Sequence, residues 1–172
     1  MQAKRVSESF TVMTEMIMPN DTNPLGNLMG GNLMRWMDIA GGICAARHAT
    51  KDVVTVSVDH VSFQKPIHNG DVITLQASVT RAFSTSVEIY VEVFAAGMKG
   101  DNQGKCNDAY LTFVALNKED MKPCSVPPVL ALTGEEQDRY DGALRRRELR
   151  LVLGGRMKVR DATNLKALFD SE

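Results

Sequence analysis

One proline-free stretch, Gly31 to Ala49, is the most apolar helical segment of the chain, and four stretches of strand character follow it with no further helix between them. That order constrains the fold more than anything else here. Leu33, Met34, Met37, Ile43 and Cys44 fall near the 3.6-residue period, which predicts a helix. Val53 to Phe63, Val72 to Phe83, Val87 to Ala96 and Ala109 to Leu116 are rich in valine, isoleucine, threonine and aromatics. Their period-two alternation is clearest where Val87, Ile89, Val91 and Val93 stand opposite Glu88, Tyr90 and Glu92. A helix that precedes a run of strands, rather than alternating with them, is the α+β pattern.

The remaining segments fit around this unit. Residues 8 to 18 place Phe10, Val12, Met16 and Met18 at alternate positions and predict a first strand. Pro19 to Gly31 is dense in Asn, Asp, Pro and Gly, the signature of a loop ordered by local hydrogen bonds. Short turn-rich linkers, His68 to Asp71, Ser84 to Ser86 and Gly97 to Lys105, make a meander of antiparallel hairpins the economical topology. Asn117 to Pro128 holds three of the six prolines and predicts a loop. Thr133 and Glu136 then match a capping box, opening a helix that runs to about Leu151. Gly154 and Gly155 break it, and Leu165 to Phe169 carry only a weak helical pattern. The expected organisation is one domain over residues 8–152 with a tail, 153–172, that is partly helical or mobile; 172 residues are room for no second domain.

Charge and motifs narrow the chemistry. Twenty Lys and Arg against twenty-one Asp and Glu supply no overall attraction for a polyphosphate, so nucleic acid is not an expected partner. No run reaches the length of a membrane helix, and the first ten residues lack a secretion signal, so no membrane association and a cytoplasmic location are expected. Cys44, Cys106 and Cys124 read as free thiols. His48, His60 and His68 lack metal-ligand spacing, and His48 reads as a partner of a helix C-terminus. No metal site and no cofactor are expected. There is no nucleophile elbow, dinucleotide fingerprint or phosphate loop. Arg139 to Arg160 holds eight basic residues against Asp141 and Glu148, which reads either as a solvated face or as a contact for a subunit or a phosphate-bearing ligand.

Two features do not belong in an ordinary core helix. Asp38 sits mid-run, and Gly41 and Gly42 follow on the same face, each costing about 1 kcal/mol relative to alanine. Either Asp38 pairs with Arg35 on a solvated face while the glycines ease packing, or a ligand or second subunit approaches the backbone here. The preceding loop offers Asn23, and Gly30 and Gly31 bring unpaired amides to the helix N-terminus, where an oxyanion can be held. Asp38 lies two turns further in, roughly 10 to 12 Å along the axis. A two-fold dimer would set the Asp of one copy beside the loop of the other.

The residues D-T-N-P-L-G-N-L-M-G-G-N-L-M-R-W-M-D-I-A-G-G-I-C-A-A-R-H (Asp21 to His48), V-V-T-V-S-V-D-H-V-S-F (Val53 to Phe63) and K-P-I-H-N-G-D-V-I (Lys65 to Ile73) resemble the hotdog-fold acyl-CoA thioesterases, and within them the cytosolic brain-type acyl-CoA hydrolase and its single-domain bacterial relatives. The resemblance covers residues 8 to 150. It implies a hotdog fold, a long central helix wrapped by a curved antiparallel sheet of five to six strands, with a C-terminal helix added. It implies homodimers that join their sheets, assembled as trimers of dimers, and cofactor-free hydrolysis of fatty acyl-CoA. The family's catalytic aspartate falls on Asp38, its asparagine on Asn23 and its glycine pair on Gly30 and Gly31.

On that reading Asp38 is a general base or, through a mixed anhydride, a nucleophile. Leu33, Met34, Met37, Val56 and Val58 line an acyl tunnel, and the pantetheine arm runs beside Val58 to Val61, with His60 among them. Arg81, Ser84, Thr85 and Ser86 meet the phosphates. Two rival readings are a non-catalytic acyl-CoA-binding sensor, for which the chain shows no DNA-binding module, and a hotdog enoyl-thioester hydratase, for which no histidine follows Asp38 at a short spacing that guarantees an Asp–His pair.

Overall fold

The computed structural model describes residues 1–63, 65–101 and 103–168, without the side chain of His60. Phe169, at the end of the weak tail pattern, lies outside the described residues. In chain order the elements are β1 (Lys4–Arg5), β2 (Thr11–Met16), α1 (Gly30–Ala49), β3 (Asp52–Phe63), β4 (Val72–Ala82), β5 (Ser86–Ala96), β6 (Gly104–Leu116), β7 (Val129–Leu130), α2 (Gly134–Leu153) and α3 (Thr163–Lys166). β1 and β7 form a small parallel pair, too short for any periodicity to announce. The other five strands form one antiparallel sheet in the order β2-β4-β5-β6-β3.

That order corrects the meander. β4, β5 and β6 are joined by hairpins, but β3 crosses over to pair with β6, from Asp52 opposite Leu116 to Phe63 opposite Asn107. The crossover leaves β2 and β3 as the two edges. β6 also begins at Gly104 rather than Ala109, because its first residues, Lys105 to Asp108, include the polar Asn107 and Asp108 and hide the strand from a hydrophobic pattern. The first strand is shorter than expected and its apolar alternation points the other way: Phe10, Val12, Met16 and Met18 are exposed, Val12 by 55%, while Thr11 and Ile17 are buried.

α1 lies in the hollow of the curled sheet. Leu33, Trp36, Met37, Ala40, Gly41, Cys44, Ala45, His48 and Ala49 recur every three or four residues and are buried, so the helix turns one stripe to the sheet. The stripe meets Leu75, Ile89, Val91, Leu111 and Phe113, all buried in the same core cluster. A Cβ on Gly41 would stand 3.1 Å from the Phe113 ring, so this glycine lets the helix settle onto β6. Easier packing is therefore what Gly41 provides.

α2 covers the opposite, convex face. Its N-terminus has the full capping box, with Glu136 N donating to Thr133 Oγ1 (3.2 Å) and the Glu136 carboxylate accepting from Thr133 N (3.1 Å). Three arginines of the run pair with carboxylates of the chain's own sheet. Arg139 pairs with Glu92 (3.3 Å), Arg146 with the fully buried Glu88 (2.8 Å), and Arg150 with Asp59. Arg139 stacks on Tyr90, Arg146 on Tyr110 and Arg147 on Phe83, with guanidinium carbons 4.3, 3.8 and 4.9 Å from the ring centres. Burial pushes the Tyr90 phenol up to about 12, so it stays a neutral donor to Asp108. After Gly154 and Gly155 the chain turns back: Glu148 accepts from Asn164 Nδ2 (2.6 Å) and Leu165 N (2.8 Å) at the start of α3, and Ala162 is buried.

Candidate active site

The face of α1 turned away from the sheet's centre carries Met34, Asp38, Ile39 and Ile43, all exposed, and lies along β3. Between them is a shallow crevice of about 440 Å³ containing Asp38, Gly42, Ile43, Val53 and Thr55. Asp38 does not pair with Arg35. Its Oδ1 accepts from the Thr55 hydroxyl at 2.5 Å, which fixes the carboxylate against β3. Thr55 was not singled out from the sequence: one hydroxyl in an alternating strand, seventeen positions after its partner, carries no spacing signal. β3 offers its outer backbone edge unpaired, and Val54, Val56, Val58 and Phe63 along it are exposed, Val56 by 54%. An unpaired strand of this length is a template for pairing with a further strand.

The loop before α1 is folded on itself. Asn23 Oδ1 accepts from Leu25 N (2.9 Å) and Asn27 N (3.2 Å), so the carboxamide oxygen is occupied and its NH₂ is the part left to act. Asp21 takes Met29 N on its carbonyl (2.9 Å) and Met18 N on its carboxylate (3.0 Å), and Leu28 N donates to Ile67 O (2.8 Å). α1 has no side-chain cap, and the amides of Gly30 and Gly31 have no acceptor among the described residues. A second cavity of about 440 Å³ opens beside Gly30, walled by Leu33, Phe63, Lys65, Ile67 and Asn107. A Cβ on Gly30 would come within 2.9 Å of the Phe63 ring, so glycine is what lets this aromatic close over the helix end.

Within one protomer Asp38 is eight residues, about 12 Å, from Gly30 along α1, and the two do not meet. Of the residues assigned to substrate, Met34 is exposed near the helix start and Val58 on β3; His60 also lies in β3, but its side chain is outside the description. Leu33 lines the cavity at the helix end, whereas Met37 is core. Ser84, Thr85 and Ser86 form the β4–β5 turn at the opposite end of the sheet from Gly30, since Ser86 pairs with Val114 and Asp52 with Leu116. Arg81 donates to Tyr140 O (3.1 Å) and stacks on the Tyr140 ring at 4.0 Å. His48 does lie in the last turn of α1, where it is fully buried, its Nε2 against Pro127 O at 2.8 Å, and burial holds its pKa below the ordinary histidine value.

The site therefore combines a long helix in a curled sheet, free amides at the helix start and a carboxylate on its outer face. A family model described as the thioesterase superfamily matches residues 25–100. The uncharacterized acyl-CoA thioester hydrolase YkhA of Bacillus subtilis is 37% identical over 139 residues, 81% of this chain and 80% of that protein. This chain spans only 24% of the mouse acyl-coenzyme A thioesterase 11, at 33% identity. Among solved structures, an apo-hexameric acyl-CoA thioesterase superposes with a TM-score of 0.83 at 35% identity, covering 87% of this chain and 96% of that one. The acyl-CoA hydrolase of Staphylococcus aureus with butyryl coenzyme A, coenzyme A and coenzyme A disulfide gives 0.82 at 33% identity over 99% of both chains. The chain therefore belongs to the thioesterase superfamily, with the hotdog-fold acyl-CoA hydrolases. Alanine variants of the Staphylococcus aureus enzyme alter an asparagine, an aspartate and a threonine, spaced along that chain as Asn23, Asp38 and Thr55 are spaced here.

Proposed function

We propose that this chain hydrolyses acyl-CoA thioesters at a site shared by two protomers. The observation that carries the reading is the Asp38–Thr55 pair, set in the crevice beside the unpaired edge of β3 and separated within its own protomer from the free amides of Gly30 and Gly31. Antiparallel pairing of two β3 edges reverses one copy against the other. Asp38 of one protomer then lies on the side of Asn23, Gly30 and Gly31 of its partner.

Water attacks the thioester carbon as Asp38 takes its proton. The carbonyl oxygen becomes an oxyanion, held by the Gly30 and Gly31 amides and the Asn23 NH₂. The tetrahedral intermediate collapses with loss of the CoA thiolate, which recovers the proton from Asp38, leaving the fatty acid and CoA. The same reversal brings the Ser84 to Ser86 turn of one copy to the side of the other's helix start, where it and Arg81 anchor the CoA arm passing Val58 and His60. Water is the only co-reactant, so no metal or cofactor enters the scheme. Dimers assembled as a hexamer, the state of the apo-hexameric relative, complete the proposal.

The test is Asp38→Asn, which keeps shape and removes the base. Thiol release from a panel of acyl-CoAs should fall about 10³-fold, within the range of a lost general base, with fold and assembly unchanged. Undiminished hydrolysis by the variant rejects the role of Asp38. A wild-type protein that binds acyl-CoA without turnover is a sensor, the reading the panel excludes if thiol appears.

A further inference from the structure

The cavity beside Gly30 has one feature that hydrolysis of a plain alkyl chain does not use. Asn107, on the inner face of β6, is 1% exposed and forms part of the cavity wall. Its Nδ2 donates to Ser62 O, which fixes the carboxamide orientation, since a flipped amide would set two oxygens together. Its Oδ1 is buried without a hydrogen-bond partner among the described residues. An unsatisfied buried acceptor at the wall of an otherwise largely apolar space is costly, and a ligand that donates a hydrogen bond relieves the cost.

Leu33, Ile67 and Asn107 are the buried part of the cavity lining. The CoA arm must continue outward to its nucleotide, so the buried part of the lining suits the acyl arm. The group met there is neutral. A carboxylate would face the Asn107 oxygen, and an ammonium would be stripped of water beside core aliphatics and pass Lys65 at the exposed rim. A hydroxyl supplies the donor without either penalty.

Resting on the acyl-CoA hydrolase reading, we infer that the Gly30 cavity is the acyl pocket and that Asn107 makes it selective for acyl groups bearing a hydroxyl, such as 3-hydroxyacyl-CoA, over unsubstituted chains of the same length. A site that hydrogen-bonds a substrate hydroxyl penalises the analogue lacking it, because its own polar group is then left unpaired.

The experiment compares kcat/KM for butyryl-CoA and 3-hydroxybutyryl-CoA on the wild-type protein, then on Asn107→Leu, of similar volume and without an acceptor. Wild type should favour the hydroxylated substrate at least tenfold, and Asn107→Leu should bring the ratio to one or below. Equal wild-type values, or a ratio unmoved in folded Asn107→Leu, overturn the inference. If Asn107→Leu does not fold, Asn107→Ser and the wild-type ratio still decide it. Absence of hydrolysis by wild type across the whole acyl-CoA panel refutes the hydrolase reading instead, whereas hydrolysis without discrimination refutes only the role of Asn107.

Discussion

The two faces of the sheet are finished in opposite ways. On the convex face α2 satisfies almost every charge it meets: Glu88, Glu92 and Asp59 each have an arginine, and the arginines also lie on tyrosine and phenylalanine rings. On the α1–β3 side the chain leaves a strand edge, a row of valines, two free amides and a carboxylate held by one hydroxyl. Charge on the first face is structural because its partners come from the same chain. On the second face, under the proposed function, the missing partners are those that a second protomer and a substrate bring.

Charging the open edge should give the largest effect. Val56→Lys puts an ammonium on the exposed edge strand, a device by which sheets avoid edge pairing. Sedimentation should show loss of the dimer with an unchanged far-ultraviolet spectrum, and hydrolysis should fall beyond 10³-fold because neither half-site is complete alone. A monomer that stays fully active would break the comparison, since the α1–β3 face would then need no partner.

The closed face should fail in stability instead. Arg146→Ala leaves Glu88 fully buried with only the Thr80 hydroxyl on its Oε1 (2.7 Å), and breaking a buried pair from one side costs about 3–5 kcal/mol. Urea unfolding should record that loss while kcat/KM for butyryl-CoA at low temperature changes little. Replacing both partners, Glu88→Leu with Arg146→Met, should restore most of it. A large fall in kcat/KM for folded Arg146→Ala would show that the two faces are coupled.

The same contrast explains what was legible in the sequence. α1, β3, β4 and β5 stand within a few residues of their periodicity, because burial on one face writes a regular pattern. Thr133 and Glu136 marked α2 because both halves of a capping box are local in sequence. The crossover that pairs β3 with β6 left no mark, since alternation says which face is buried and not which strand lies beside it. The arginine run was ambiguous for the same reason: its partners are some fifty residues or more upstream, on β3 and β5. At the site, Asp38 and the Gly30–Gly31 pair stood out because they break a pattern. Thr55 and Asn107 did not, as each needs the fold to show what its polar atom meets.

Thr55 is the finer probe of the open face. Thr55→Val keeps the shape and removes the donor that fixes Asp38. As a positioning residue it should lower kcat about tenfold, roughly 1.4 kcal/mol, with KM unchanged, and Thr55→Ser should recover most of the loss. Parallel changes in KM, or no rescue by serine, would assign Thr55 to packing.

The smallest effect belongs to a group neither face uses. His48 is 0% exposed at the end of α1, with Pro127 O on Nε2, Nδ1 unpartnered, and Lys4 and Glu8 as the nearby charges. Burial lowers its folded pKa below the unfolded value of about 6.5, so near and below that pH the unfolded chain binds more protons. Stability therefore rises with pH through this window and is lost as pH falls below about 6.5 towards the folded pKa. The melting temperature should drop between pH 7 and 5, and His48→Gln, which cannot charge, should flatten that slope while lowering stability at pH 7. An equal slope in the variant would show that His48 is not the source of the acid sensitivity.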